Sequence, residues 1–204
     1  MSDLIKEYFP ELSKKQLILL EDYKKLLLDW NSKVNLISRK DQNHIDEHHL
    51  LHSLSISKFY QFLPNSKVID IGTGGGLPGI PLAILFPETE FILIDSRKNK
   101  INALKDIIKR LNLPNVIAIN ERVESIIFQY HLAIGRAVSD LKVIINWINK
   151  NVKPLPGEPF LIYLKGIDAF DELKNIPYKY TIRPINEFVK LTYYQDKYII
   201  MLYK

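Results

Sequence analysis

Asp70-Ile71-Gly72-Thr73-Gly74-Gly75-Gly76-Leu77-Pro78-Gly79 is the stretch that decides the fold. It follows a short β-branched run, Val68-Ile69-Asp70-Ile71. It precedes an apolar helical stretch, Pro81 to Phe86, whose proline suits a first turn where no N–H partner is needed. Glycine lets the backbone turn sharply and come close to a ligand. Five glycines between Gly72 and Gly79 exceed what an ordinary strand–helix turn requires. The dinucleotide fingerprint G-x-G-x-x-G fails in its spacing, because its third glycine falls on Leu77. What fits is Asp70-x-Gly72-x-Gly74-x-Gly76.

Outward from the loop, Phe91 to Asp95 reads as a second buried strand and Asn99 to Leu111 as an amphipathic helix stopped before Pro114. Val116 to Ile119, Leu132 to Ile134 and Phe160 to Leu164 are further strands, with Ser139 or Asp140 capping an intervening helix. Strands alternating with helices predict a parallel, doubly wound α/β sheet covered on both faces. Tyr178 to Arg183 and Tyr198 to Leu202 close the sheet and include an antiparallel pair. Upstream, Ser13 and Gln16 form a capping box before Leu17, Leu20, Tyr23, Leu27 and Trp30, one apolar helix face. His44 to Phe62 reads as a second long helical segment. The boundary falls at residue 67: residues 1–66 are a helical cap, residues 67–204 the α/β domain, in one compact unit. Asp95 ends its strand where a carboxylate can accept both hydroxyls of a ribose, so an adenosine-containing cofactor is expected.

Composition narrows the class. Hydrophobic residues make up 47% and charged residues 25%, which excludes a disordered tail or a collagen-like chain. The absence of cysteine excludes a disulfide framework, a thiolate zinc site and a cysteine nucleophile. No apolar run reaches ~18 residues and Met1-Ser2-Asp3-Leu4 opens no signal peptide, so a soluble cytoplasmic protein without a membrane partner is expected. The net charge of +5 is concentrated: residues 97–110 carry six basic side chains against Asp106. That stripe suits a polyanion, or is a solvated helix face. His44, His48 and His52 share one helix face, but without the H-E-x-x-H pattern no metal is expected.

The loop resembles the first motif of the class I S-adenosylmethionine-dependent methyltransferases. The cationic amino-acid end and sulfonium of that cofactor favour a carboxylate such as Asp70 at the strand tip, whereas a pyrophosphate favours bare N–H groups. A longer set of residues narrows the resemblance: Trp30-Asn31, Asn35-Leu36, His49 with Ser53, then Gly72 to Pro81, Asp95-Ser96 with Lys98 and Lys100, Arg122-Val123-Glu124, Gly135-Arg136-Ala137 and Lys165-Gly166. Together they resemble the ribosomal RNA small-subunit methyltransferase G family, also called glucose-inhibited division protein B. The resemblance implies a Rossmann-like, mostly parallel seven-stranded sheet with an N-terminal helical cap. It also implies methyl transfer from S-adenosylmethionine to guanine N7 of 16S ribosomal RNA, free or in a small subunit or assembly intermediate. Gly72, Thr73, Gly74 and Leu77 are then expected to line the cofactor loop. Asp95 is expected to hold the ribose, and Val123 and Glu124 to border the adenine. Arg136 is likewise expected to face cofactor and RNA, and Asn35, Arg122 and Lys165 to lie on the substrate side.

Guanine N7 carries an in-plane lone pair and no proton, so no general base is expected, and none is evident near the loop. Arg136 is the candidate for orienting the base; its alternative is an ion pair with Asp70 or Glu124. Nothing demands more than a monomer. The competing readings are a methyltransferase with another acceptor, an NAD-dependent oxidoreductase, and a non-catalytic RNA-binding module.

Overall fold

The computed structural model describes residues 3–204. Two helices open the chain, α1 (Asp3–Tyr8) and α2 (Lys14–Asn31). α2 starts where its capping box dictates: Gln16 N donates to Ser13 Oγ, and Ser13 N donates back to Gln16 Oε1.

The expected continuous helix over 44–62 is not formed, and this corrects the sequence reading. Instead a 3₁₀ turn (Arg39–His44) leads into a π-helical turn (Asp46–Leu51). One α-turn, α3 (His52–Leu54), and a second 3₁₀ turn (Ser55–Lys58) follow. The ladder is broken by competition for its carbonyls. Tyr194 Oη takes the Glu47 carbonyl, Arg136 Nη1 takes that of His48 at 3.0 Å, and Ser53 Oγ takes that of His49 at 2.7 Å. Ser55 and Ser57 bond back to His52 and Leu54 in the same way. Such local side-chain bonds disfavour a regular helix.

From Lys67 the chain alternates as read: β1 (Lys67–Ile71), α4 (Gly79–Leu85), β2 (Glu90–Asp95), α5 (Lys98–Leu111), β3 (Val116–Asn120), β4 (Leu132–Arg136), α6 (Leu141–Ile148), β5 (Leu161–Lys165), α7 (Ala169–Leu173), β6 (Lys179–Pro184) and β7 (Tyr198–Tyr203). The sheet order is β3-β2-β1-β4-β5-β7-β6. β1 to β5 are parallel, and β7 runs antiparallel between β5 and β6. The chain leaves β1 toward one edge and returns to β4, so the crevice opens at the carboxyl ends of β1 and β4, where doubly wound folds bind ligands.

Alternate strand residues feed opposite faces. Val68 and Leu93 join Phe9, Leu27, Leu36, Leu54 and Leu104 in one core, so the N-terminal helices pack directly on the sheet. Ile69, Ile71 and Ile94 join Ile144, Ile148 and Tyr163 in the other. Each of these fully buried side chains contributes roughly 1.5–3 kcal/mol. Trp30 Nε1 donates to Asp106 Oδ2 at 2.8 Å and ties α2 to α5.

Candidate functional site: two adjoining cavities at the strand tips

The glycine loop is shaped from beneath. Asp70 is fully buried, and its Oδ2 accepts from Thr73 Oγ1 at 2.6 Å and from Gly79 N at 2.9 Å. A β-carbon on Gly79 would lie 2.3 Å from Leu93 Cδ2, so only glycine lets α4 begin this close to the sheet. Asp70 therefore does not present its carboxylate to a ligand; it cross-braces the loop. Burial pushes its pKa up to about 7, against the lowering effect of the Thr73 and Gly79 bonds and of the Arg136 charge. Its Oδ1 has no partner, in keeping with a carboxyl that carries a proton.

The sign of the consequence follows from linkage. A carboxyl whose pKa is higher folded than unfolded makes the native state lose stability as pH rises between the two values. The stability difference between wild type and Asp70→Asn is expected to shift against wild type by a few kcal/mol from pH 4 to pH 7, and to level off above. Urea unfolding of both proteins across that range checks it; parallel curves would contradict the assignment.

Most of the loop's amides are already engaged. Thr73 N donates to Ile94 O, Gly74 N to Asp95 Oδ2 at 3.2 Å, Gly76 N and Leu77 N to Thr73 O, and Gly79 N to Asp70. A diphosphate would find no free row of N–H groups here. Above the loop lies a cavity of about 410 Å³, walled by Ile94, Val123, Val138 and Trp147, with the carboxylates of Asp95 and Glu124 on its rim. Asp95 Oδ1 also accepts from Arg97 N at 2.8 Å, which leaves lone pairs on both oxygens for a pair of hydroxyls. Apolar walls, hydroxyl acceptors and no phosphate cradle fit the adenosine half of S-adenosylmethionine.

Gly72, Asp95, Val123 and Glu124 line this cavity, and so does Arg122, 3.7 Å from Glu124. Thr73 and Leu77 lie under the loop, 2% and 5% exposed, and act through backbone and packing. Asn35 is exposed on the turn after α2. The neighbouring Asn31 Oδ1 holds that turn through Leu36 N (2.8 Å) and Ile37 N (2.9 Å). A further support was not legible in the sequence: Tyr23 Oη donates to the Gly75 carbonyl at 2.8 Å.

A second cavity of about 350 Å³ adjoins the first, and Ala137 lines both. Ala137 sits just past β4 with φ of 53°, a strained value for a non-glycine residue. Tyr163 Oη holds the backbone beyond it, accepting from Val138 N at 2.7 Å. Arg136 enters this second cavity. Its Nη1 donates to the His48 carbonyl and its Nη2 to His49 Nδ1 at 2.9 Å. Among the described residues no carboxylate lies within 4 Å of it, so neither Asp70 nor Glu124 forms the alternative ion pair. An arginine can only donate, so His49 Nδ1 is the acceptor and its hydrogen sits on Nε2. Burial, with help from the Arg136 charge, pushes the His49 pKa down to about 4 and that of His52 well below its usual value. Both rings are therefore neutral at physiological pH.

Lys165 also reaches this cavity, but its ammonium is held by Glu172 and by Asp168 (3.3 Å). Those carboxylates outweigh burial and raise its pKa. Glu172 in turn accepts from Leu141 N and anchors α6. Two cavity residues came from a region the sequence left without a role: Tyr193 and Lys197, in the segment joining β6 to β7. Tyr193 stacks on His48 at 3.9 Å, with Lys197 Nζ 5.2 Å from its ring centre. His44, Glu47 and His48 bring donor atoms within 4.8 Å of one another, but His48 Nδ1 is bound by Asp41 at 2.9 Å and its ring lies between His44 and Tyr193.

Comparison with known proteins gives a consistent result. The family model for rRNA small subunit methyltransferase G matches residues 16–197. The chain is 38% identical over 206 residues to the ribosomal RNA small subunit methyltransferase G of Christiangramia forsetii, covering 98% of this chain and 96% of that protein. It is 39% identical over 201 residues to the Bacteroides thetaiotaomicron protein of the same name, covering 97% and 98%. Among solved structures, a SAM-dependent methyltransferase from Aquifex aeolicus aligns with a TM-score of 0.59 at 12% identity, covering 81% of this chain and 98% of that one. A precorrin-6y C5,15-methyltransferase from Geobacter metallireducens aligns at 0.56 and 14%, covering 84% and 92%. At such identities the structural likeness establishes the fold.

Proposed function

The chain belongs to the rRNA small subunit methyltransferase G family, and on that premise we propose that its two cavities serve one reaction, transfer of a methyl group to N7 of one 16S rRNA guanine. It is an enzyme, a class I methyltransferase that methylates small-subunit rRNA and uses S-adenosylmethionine. The observation that carries the division of labour is the contact of the two cavities at Ala137, directly after Arg136.

Asp95 and Glu124 would take the ribose and adenine side of the cofactor, with Gly72 at its backbone-facing edge, while Gly74 acts from outside the cavity lining by holding Asp95 Oδ2. Bound there, S-adenosylmethionine would supply an electrophilic methyl on its sulfonium. With no proton to remove from N7, the protein's task is placement, which can supply a large part of the rate. Arg136, braced by His48 and His49, orients the acceptor base. The target nucleotide must be unstacked to enter, and the exposed cations of α5 (Lys98, Lys105, Lys109 and Arg110) can face phosphates around it. Asn35 and Arg122 extend the RNA-facing rim.

The site is complete within one chain, which supports action as a monomer. No helix among the described residues is long and apolar enough to cross a membrane, and an rRNA substrate is consistent with action in the cytoplasm.

The test is transfer of labelled methyl from S-adenosylmethionine to small-subunit rRNA from a host lacking this modification. RNA from a host that has it is the control, and assembled subunits are a second acceptor. Label mapping to N7 of one guanine, in unmodified material only, is expected. Bound cofactor with no label in RNA or subunits would overturn the reading.

A further inference from the structure

We propose that Lys197 reads O6 of the acceptor guanine and, once the base is methylated, helps to expel it; this rests on the functional reading above. Three cationic side chains, Arg136, Lys165 and Lys197, line the second cavity. Lys165 is paired with Glu172 and Asp168. Arg136 is braced by a carbonyl and a neutral imidazole. Lys197 is half-buried, and among the described residues no carboxylate lies within 4 Å of its ammonium. The Tyr193 ring faces it, 5.2 Å away, and His52 lines the same cavity. A partly buried cation without a counter-charge is costly unless a ligand supplies the acceptor.

The backbone that carries the ammonium is also held in place. Tyr194, fully buried, bonds the Glu47 carbonyl and clamps the segment onto the π-helical turn. Lys197 N donates to Tyr194 O, and Ile185 N to Lys197 O at 2.9 Å. The segment is thus anchored on both sides of the lysine. The N7/O6 edge of guanine is the base edge that lysine and arginine recognise best. With N7 aimed at the methyl donor, O6 is the neighbouring acceptor. Adenine offers an amino group there, which an ammonium cannot accept from, so the same contact discriminates between the purines.

Methyl transfer then moves one positive charge into this cavity. The product base is cationic and meets Arg136 and Lys197, neither of which has a carboxylate partner. Like charges repel, and the more strongly the drier the site. Methylated RNA is therefore bound more weakly than unmodified RNA.

The experiment uses Lys197→Met, which keeps length and removes charge, and Lys197→Arg, which keeps a donor. Each is assayed on RNA carrying guanine or 2-aminopurine, which lacks O6, at the target position. Lys197→Met is expected to lower kcat/KM on guanine RNA by roughly tenfold or more, with cofactor affinity and Tm unchanged. It is expected to cost nothing further on 2-aminopurine RNA, and Lys197→Arg is expected to retain most activity. The preference of wild type for unmodified over methylated RNA narrows in Lys197→Met. An unchanged Lys197→Met, a loss that adds to that of 2-aminopurine, or a salt slope reduced by about one, the mark of a phosphate contact, would each overturn the proposal. Wild type that labels no RNA would instead overturn the functional reading, and the proposal with it.

Discussion

Arg136→Ala is expected to slow single-turnover methyl transfer by about a hundredfold or more, while the protein stays folded. The guanidinium makes two hydrogen bonds, to the His48 carbonyl and to His49 Nδ1, and no ion pair within 4 Å among the described residues. Its removal leaves those acceptors unpaired, at a cost of about 1–3 kcal/mol. It also relieves the desolvation that lowers the arginine's own pKa, which offsets part of the loss. The expected fall in Tm is a few degrees. The loss of function is larger because the group lines the second cavity beside Ala137, the residue both cavities share, and because its donation to Nδ1 favours one His49 tautomer. Arg136→Lys should recover little, since one ammonium cannot reproduce a fork that bridges two acceptors. A folded Arg136→Ala with wild-type turnover would remove this residue from the site.

Gly74→Val is expected to weaken S-adenosylmethionine binding beyond calorimetric detection, at least a hundredfold. The reason is conformational. Gly74 has φ of 59°, where a β-branched residue is badly strained. A β-carbon there would meet only ordinary contacts, 3.6 Å from the Leu36 carbonyl and 3.8 Å from Lys100 Nζ, so the fold itself has room for it. If the backbone relaxes to relieve the strain, the Gly74 amide turns away from Asp95 Oδ2. That frees the carboxylate proposed to hold the ribose. If it does not relax, the strain stays in the loop whose Gly74 amide holds the Asp95 carboxylate. Normal cofactor affinity in this variant would overturn the placement of the loop in the site.

The parts legible in the sequence are those fixed by neighbours in the chain. Ser13 and Gln16 announced α2 because a capping box needs only four residues. β1, β2 and the glycines between them announced the crevice because strand, loop and helix are contiguous. Asp95 was found because the end of a strand is a place in space as well as in sequence. What stayed hidden depends on distant partners. No local pattern shows that Arg136 and Tyr194 take carbonyls from residues 47 and 48, and so the irregular run from His44 looked like one helix. Lys165 reads as a free cation until Glu172 is folded against it. Tyr193 and Lys197 acquire a role only because β7 turns their segment back over the π-helical turn.

The position of β7 also sets an order of events in synthesis. It lies between β5 and β6, so the sheet cannot close its last two rows until residues 198–203 have been made. A ribosome stalled before Tyr198 would release a polypeptide with the glycine loop and Asp95 already encoded, but with an open β5 edge and no fixed place for Lys197. Such a fragment would contain the lining of the first cavity and lose the fixed wall of the second. The wall of the second cavity is completed last, and a truncated product would expose an unpaired β5 edge to which other chains can add a strand.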